Sequence, residues 1–188
     1  MRIIAGQWRG RKMSAPAGDN TRPTSDRTRE TLFSMLTSRL GSWEDLRVAD
    51  LFAGSGALGL EALSRGAAHA LFAEQDAAAL KAIRANITHL NAQAQSDVRA
   101  GSVMSLAPIK APYDVVMLDP PYKTGAGVVA IEKLTRLGWI GEGTWISLET
   151  EFREPVTIKG FVVDAEREVG KARLTLLRMA PVEPPAEA

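Results

Sequence analysis

Cysteine is absent from all 188 residues, which excludes disulfide bonds and thiolate metal sites and suits a reducing compartment. Histidine is nearly absent too: His69 and His89 are too few and too scattered to suggest a zinc centre. No stretch approaches the roughly 20 apolar residues that a membrane span requires. The opening residues, MRIIAGQWRG, lack the apolar core of a secretion signal. A soluble cytoplasmic protein without a metal is therefore expected. The length suits one domain with a full core and is short for two.

Net charge is also low, at +1, but it is unevenly placed. Residues 1–40 carry eight basic side chains against three acidic ones. A basic front end on a mildly acidic body suggests contact with a polyanion, because phosphate binding rests on clustered Lys and Arg. A solvated arm that only aids solubility accounts for the same charges equally well.

What the chain does have is alternation. RIIA and RKMSAP flank GQWRG as an expected small hairpin, followed by a loop rich in Gly, Asn and Pro. DRTRETLFSMLTSRL then has helical spacing of its apolar residues and stops at Gly41. Beyond it, strand and helix patterns alternate: RVADLFA, GLEALSRG, HALFAEQ, AAALKAIRANITHLN, SDVRAGS, YDVVMLD, VAIEKLTRLGW and TWISLET. Such alternation predicts an α/β fold with a parallel sheet covered by helices on both faces. GFVVDAEREVG and ARLTLLRM have no helical pattern between them, so they predict an antiparallel pair at one edge. The expected division is a basic arm over residues 1–24, the main domain over 25–180 and a disordered tail over 181–188.

In such sheets, ligands bind beyond the carboxyl ends of the strands. The first of these turns reads DLFAGSGALGLEA, with Gly54, Gly56 and Gly59 between strand and helix. Glu74 lies 20 residues past Gly54, at the end of the second strand. Glycines permit a tight turn and close backbone approach, and a carboxylate there can accept both ribose hydroxyls of an adenosine cofactor. A turn chosen only for helix packing is the plainer alternative. Asp50, four residues before Gly54, decides between cofactors. It is a poor neighbour for the pyrophosphate of a nicotinamide cofactor and a good one for the ammonium of S-adenosylmethionine.

The fourth strand ends in VVMLDPPYK, where two prolines cannot donate to a sheet ladder and hold φ at about −65°. Asp119 and the Pro120 carbonyl could each accept one N–H of an exocyclic amine on a base, and Tyr122 could stack on that base. With its N–H bonds held, the amine nitrogen can direct its lone pair at a methyl group. Asp119 or water would take the proton, and no metal or covalent enzyme intermediate is needed. D-P-P-Y alone is a weak signal; its weight comes from its place at the tip of a fourth strand, about 65 residues after a glycine turn of this kind.

RIIAGQWRGRKM, RPTSDRTRETLFSML, DLFAGSGALGLEALSRGA and LDPPY, in that order, resemble the bacterial RsmD family of ribosomal RNA guanine-N2 methyltransferases. The resemblance covers most of the chain, and the RPTSDRTRE stretch is its most specific part. It implies a Rossmann-like, class I methyltransferase sheet of seven strands with S-adenosyl-L-methionine as donor. The implied acceptor is a guanine amino group in 16S rRNA, within an assembled or assembling 30S subunit. By position, Asp50, Phe52, Gly54, Ser55 and Gly56 would serve the methionine end, and Glu74 the ribose. Asp119, Pro120 and Tyr122 would meet the guanine.

Many methyltransferases end the third strand on an Asp that reads adenine, whereas this chain offers Ser102 and Val103, with Gln75 as a further wall. Arg9, Arg11 and Lys12 on the hairpin, and Arg22, Thr24 and Arg27, which precede or open the first helix, are the candidate RNA contacts. Trp8 fits packing slightly better than base stacking. A monomer is expected. Two other functions use the same residues: an adenine-N6 DNA methyltransferase, and a non-catalytic RNA-binding assembly factor. The first lacks room for a large recognition domain, and the second has little need of D-P-P-Y.

Overall fold

The computed structural model describes residues 1–18 and 24–183. Helix α1 (Asp26–Leu40) is followed by β1 (Arg47–Leu51), α2 (Ala57–Ser64), β2 (His69–Glu74), α3 (Ala77–His89) and β3 (Ser96–Ala100). Then come β4 (Val115–Leu118), α4 (Ala126–Arg136), β5 (Trp145–Glu151), β6 (Phe161–Val169) and β7 (Ala172–Met179). All seven strands form one sheet in the order β3-β2-β1-β4-β5-β7-β6. Strands β1 to β5 run parallel, and β7 pairs antiparallel with both β5 and β6. Chain order reverses between β1 and β4, so the crevice used by ligands in open α/β sheets lies beyond the carboxyl ends of these two strands.

Local chemistry sets the boundaries. Ser25 caps α1 by accepting the Thr28 N–H, and Asp76 caps α3 by accepting that of Ala79. β4 is buried at every position, as a central strand covered on both faces must be. One core joins Val48, Phe72, Val115 and Met117 to Leu32, Phe33 and Leu36 of α1 and to Leu60 and Leu63 of α2. The other joins Leu51, Val116, Leu118 and Leu148 to Ala130, Ile131 and Leu134 of α4. Trp43 packs on Phe33 at 5.0 Å between ring centroids, and Trp139 on Tyr113 at 5.2 Å.

The expected hairpin forms: beside the antiparallel bridge of Arg2 to Lys12, Ile3 donates to the Arg11 carbonyl, Gly10 to that of Ile3 and Met13 to that of Met1. Other backbone groups of the same segment bond to α2. Ile4 and Ala5 donate their N–H groups to the Glu61 carboxylate at 2.8 and 3.0 Å, and Trp8 donates to the Ser64 hydroxyl at 3.0 Å. Trp8 itself is half-buried against the core. The basic front end also shrinks at the surface. Arg29 is wholly buried, 2.6 Å from Asp26 and 3.6 Å from Glu61, and Arg39 pairs with Asp164 at 2.8 Å. Among the described residues, no helix is long and apolar enough to cross a membrane.

Candidate active site at the ends of β1 and β4

The turn from β1 into α2 is strained and tight. Phe52 takes a φ of 60°, a region that costs a non-glycine residue about 1–3 kcal/mol. Gly54 follows at a φ of 56°, with open space where a Cβ would stand. Gly59 serves packing: a Cβ there would lie 2.3 Å from the Phe72 ring, so α2 can rest on β2 only without one. Ser55 turns its hydroxyl toward the Met1 sulfur at 3.6 Å, and its carbonyl accepts from Asn86 at 3.0 Å.

Glu74, at the end of β2, is fixed beside this turn by backbone amides. Its Oε2 accepts from Gly54 at 2.8 Å, and its Oε1 accepts from Gln75 and Asp76 at 2.8 and 2.9 Å. After β3, Ser102 accepts the Met104 N–H at 3.1 Å and so caps a short helical turn over Val103–Ser105. Val103 is buried there and Gln75 is exposed. The Gly101 N–H donates to the Glu74 carbonyl at 2.9 Å, which keeps the two strand ends together.

Asp50 is 1% exposed, and its Oδ2 accepts the Gly59 N–H at 2.9 Å. Burial pushes its pKa well above the usual carboxylate range, and the Gly59 bond pulls it back in part. The nearby Asp119 and Glu74 charges push it further up. Among the described residues, no cation offsets these effects. A buried carboxylate whose charged neighbours, among the described residues, are Asp119 and Glu74 could take a positive group. An amino acid end bearing an ammonium fits Asp50, and a chain passing the open side of Gly54 toward Glu74 fits an adenosine ligand.

Asp119 follows β4. Its N–H reaches the Leu51 carbonyl of β1 at 3.4 Å, so the D-P-P-Y tip lies alongside the glycine turn. The Thr24 hydroxyl donates to Asp119 Oδ2 at 2.8 Å. Pro120 is buried, Pro121 is exposed, and Tyr122 is half-buried with its hydroxyl donating to Glu149 Oε1 at 2.7 Å. Leu118 and Leu148 are partners in the parallel register of β4 and β5, so Asp119 and Glu149 stand one step further along adjacent strands.

Of the basic candidates, Arg9, Lys12 and Arg27 are exposed, while Arg11 donates to the His89 carbonyl at the end of α3. Arg22 lies outside the described residues. Sequence reasoning missed three features: Glu149, the tie from Thr24 to Asp119, and the burial of Arg29. The available signal for Glu149 was an acid inside β5, two residues before the Glu151 that ends the strand.

A family model described as conserved hypothetical protein 95 matches residues 1–178. Ribosomal RNA small subunit methyltransferase D of Escherichia coli (strain K12) is 42% identical over 151 residues, covering 80% of this chain and 75% of that relative. The chain belongs to the RsmD family. Its namesake in Haemophilus influenzae is 38% identical over 177 residues, covering 90% of this chain and 89% of the relative. The solved structure of the methyltransferase candidate yhhF from Escherichia coli matches with a TM-score of 0.82 at 38% identity, covering 95% of this chain and 97% of that one. The RsmD-family sheet seen here is thus a Rossmann-like methyltransferase fold with an antiparallel edge.

Proposed function

We propose that this protein transfers a methyl group from S-adenosylmethionine to the exocyclic N2 amine of a guanine in small-subunit ribosomal RNA. The observation that carries the reading is the meeting of two motifs at the strand switch. A glycine turn with a buried, uncompensated Asp50 ends β1, and D-P-P-Y ends its neighbour β4. The names of the relatives add ribosomal RNA as the substrate class.

When bound, S-adenosylmethionine supplies an electrophilic methyl on a positively charged sulfur. Asp50 would hold its ammonium, the turn over Gly54, Ser55 and Gly56 would pass its carboxylate, with the Gly54 and Gly56 N–H groups kept by Glu74 and the Ala53 carbonyl, and Glu74 would accept its ribose hydroxyls. Phe52, Gln75, Ser102 and Val103 line the remainder. On the acceptor side, the Asp119 carboxylate and the Pro120 carbonyl each accept one N–H of the target amine, which frees its lone pair from the ring. Tyr122 stacks on the guanine, and Asp119 or water takes the proton that leaves as the new N–C bond forms. Since the acceptors are already in place, little reorganisation remains for the transition state.

The RNA approaches over Arg9, Lys12 and Arg27. Arg9 lines a groove of about 750 Å³ between the N-terminal segment and α1, together with Arg2 and Arg65. The substrate is an assembled or assembling small subunit, and the protein acts on it as a cytoplasmic monomer without a metal. Labelled donor offered with small-subunit particles, free 16S rRNA or duplex DNA, followed by digestion to nucleosides, tests the reading. Label in N2-methylguanosine is expected. Label in N6-methyladenosine would replace it with the adenine reading, and no label in any substrate would point to a non-catalytic assembly factor.

A further inference from the structure

The prolines of D-P-P-Y stiffen its backbone but do not by themselves select the rotamers of the Asp119 and Tyr122 side chains. Among the described residues, Thr24 and Glu149, both outside the motif, each bond to one of them. Thr24 donates to Asp119 Oδ2 at 2.8 Å, and Glu149 accepts from the Tyr122 hydroxyl at 2.7 Å. We propose that Thr24 and Glu149 are positioning residues that divide the acceptor site between them. Thr24 sets the carboxylate that acts on the amine, and Glu149 sets the aromatic face that receives the base. The proposal rests on the amino methyl transfer described above.

Each brace is itself anchored. Thr24 directly precedes Ser25, the residue that caps α1. One turn further on, the wholly buried Arg29 of α1 lies 3.6 Å from Glu61 of α2, the helix that follows the glycine turn. A rigid line of contacts therefore runs from the donor-side helix through α1 to Asp119. Glu149 is 8% exposed on β5, a strand held between β4 and β7. A phenol hydroxyl bonded to a fixed carboxylate keeps its ring in one orientation. Each tie fixes the direction of the side chain that makes it.

The test measures methyl transfer to undermethylated small-subunit particles, with donor affinity and thermal midpoint recorded for every variant. Thr24→Val should lower kcat roughly tenfold while KM for particles stays within about twofold, and Thr24→Ser should restore kcat. Tyr122→Phe and Glu149→Leu should each raise KM for particles several-fold, and the double variant should be no worse than either alone. Glu149→Gln, which keeps an acceptor, should stay near wild type and serves in place of Glu149→Leu should that variant not fold. Wild-type kcat in Thr24→Val, or additive losses in the Tyr122 and Glu149 pair, would overturn the proposal. So would an unaltered KM in Tyr122→Phe. A wild-type protein that methylates no guanine would overturn the underlying functional reading, and is distinguished before any variant is made.

Discussion

Asp50 and Asp119 end adjacent strands and carry the same carboxylate, yet their surroundings differ in kind. Asp50 is buried and held by a backbone N–H, that of Gly59, at 2.9 Å. Asp119 is half-buried and held by a side-chain hydroxyl, that of Thr24, at 2.8 Å. A carboxylate shut away from water disfavours its own charge until a cation arrives. One at the rim lies within reach of whatever enters and can accept its N–H bonds. On the proposed roles, burial more than residue type would separate the acid that holds the donor from the one that holds the acceptor.

The comparison can be broken most visibly at Asp119. Asp119→Ala should lower kcat by about 10² or more, because it removes an acceptor that matters most in the transition state; single-turnover methylation of small-subunit particles measures it. Next in size is Gly59→Ala, which places a Cβ 2.3 Å from the Phe72 ring and disturbs the N–H that Asp50 accepts. Overpacking of this kind costs about 1–3 kcal/mol, read by urea unfolding.

Asp50→Asn should act in the opposite direction on stability. The folded pKa of Asp50 lies above its ordinary 3.8, so its contribution to stability is present below that pH and is lost as pH rises through the folded value. The ligand-free variant should therefore match wild type at about pH 3 and exceed it at about pH 7, read by urea unfolding. Equal stabilities at both would mean that Asp50 is not penalised by burial. The smallest effect belongs to neither carboxylate. Reversing the charges of Arg9 and Lys12 should flatten the salt dependence of RNA binding by about one unit of slope for each phosphate no longer neutralised. An unchanged slope would make these residues a merely solvated surface.

Much of this arrangement is legible in the sequence where local pattern carries it. Strand and helix alternation could be read because β1, β2, β4 and β5 are apolar runs flanked by amphipathic helices. The antiparallel edge could be read because nothing helical separates β6 from β7. The glycine turn and D-P-P-Y are short, contiguous motifs, and their strand-end positions follow from the alternation. What escaped depends on partners far along the chain. The N-terminal hairpin also bonds to Glu61 and Ser64, 56 to 57 residues away, and a local hairpin pattern could not reveal that docking on α2. Arg29 looks like part of a basic arm until Glu61 and the fold enclose it. Thr24 and Asp119 are 95 residues apart, and Tyr122 and Glu149 are 27 apart. None of these pairings has a periodicity.

The central claim is that Asp50 serves the methyl donor and Asp119 the methyl acceptor. Calorimetric titration of S-adenosylmethionine into Asp50→Asn and Asp119→Ala tests it most directly. Affinity should fall roughly tenfold or more in the first and stay within about twofold of wild type in the second. Equal losses in the two variants would contradict the division of roles.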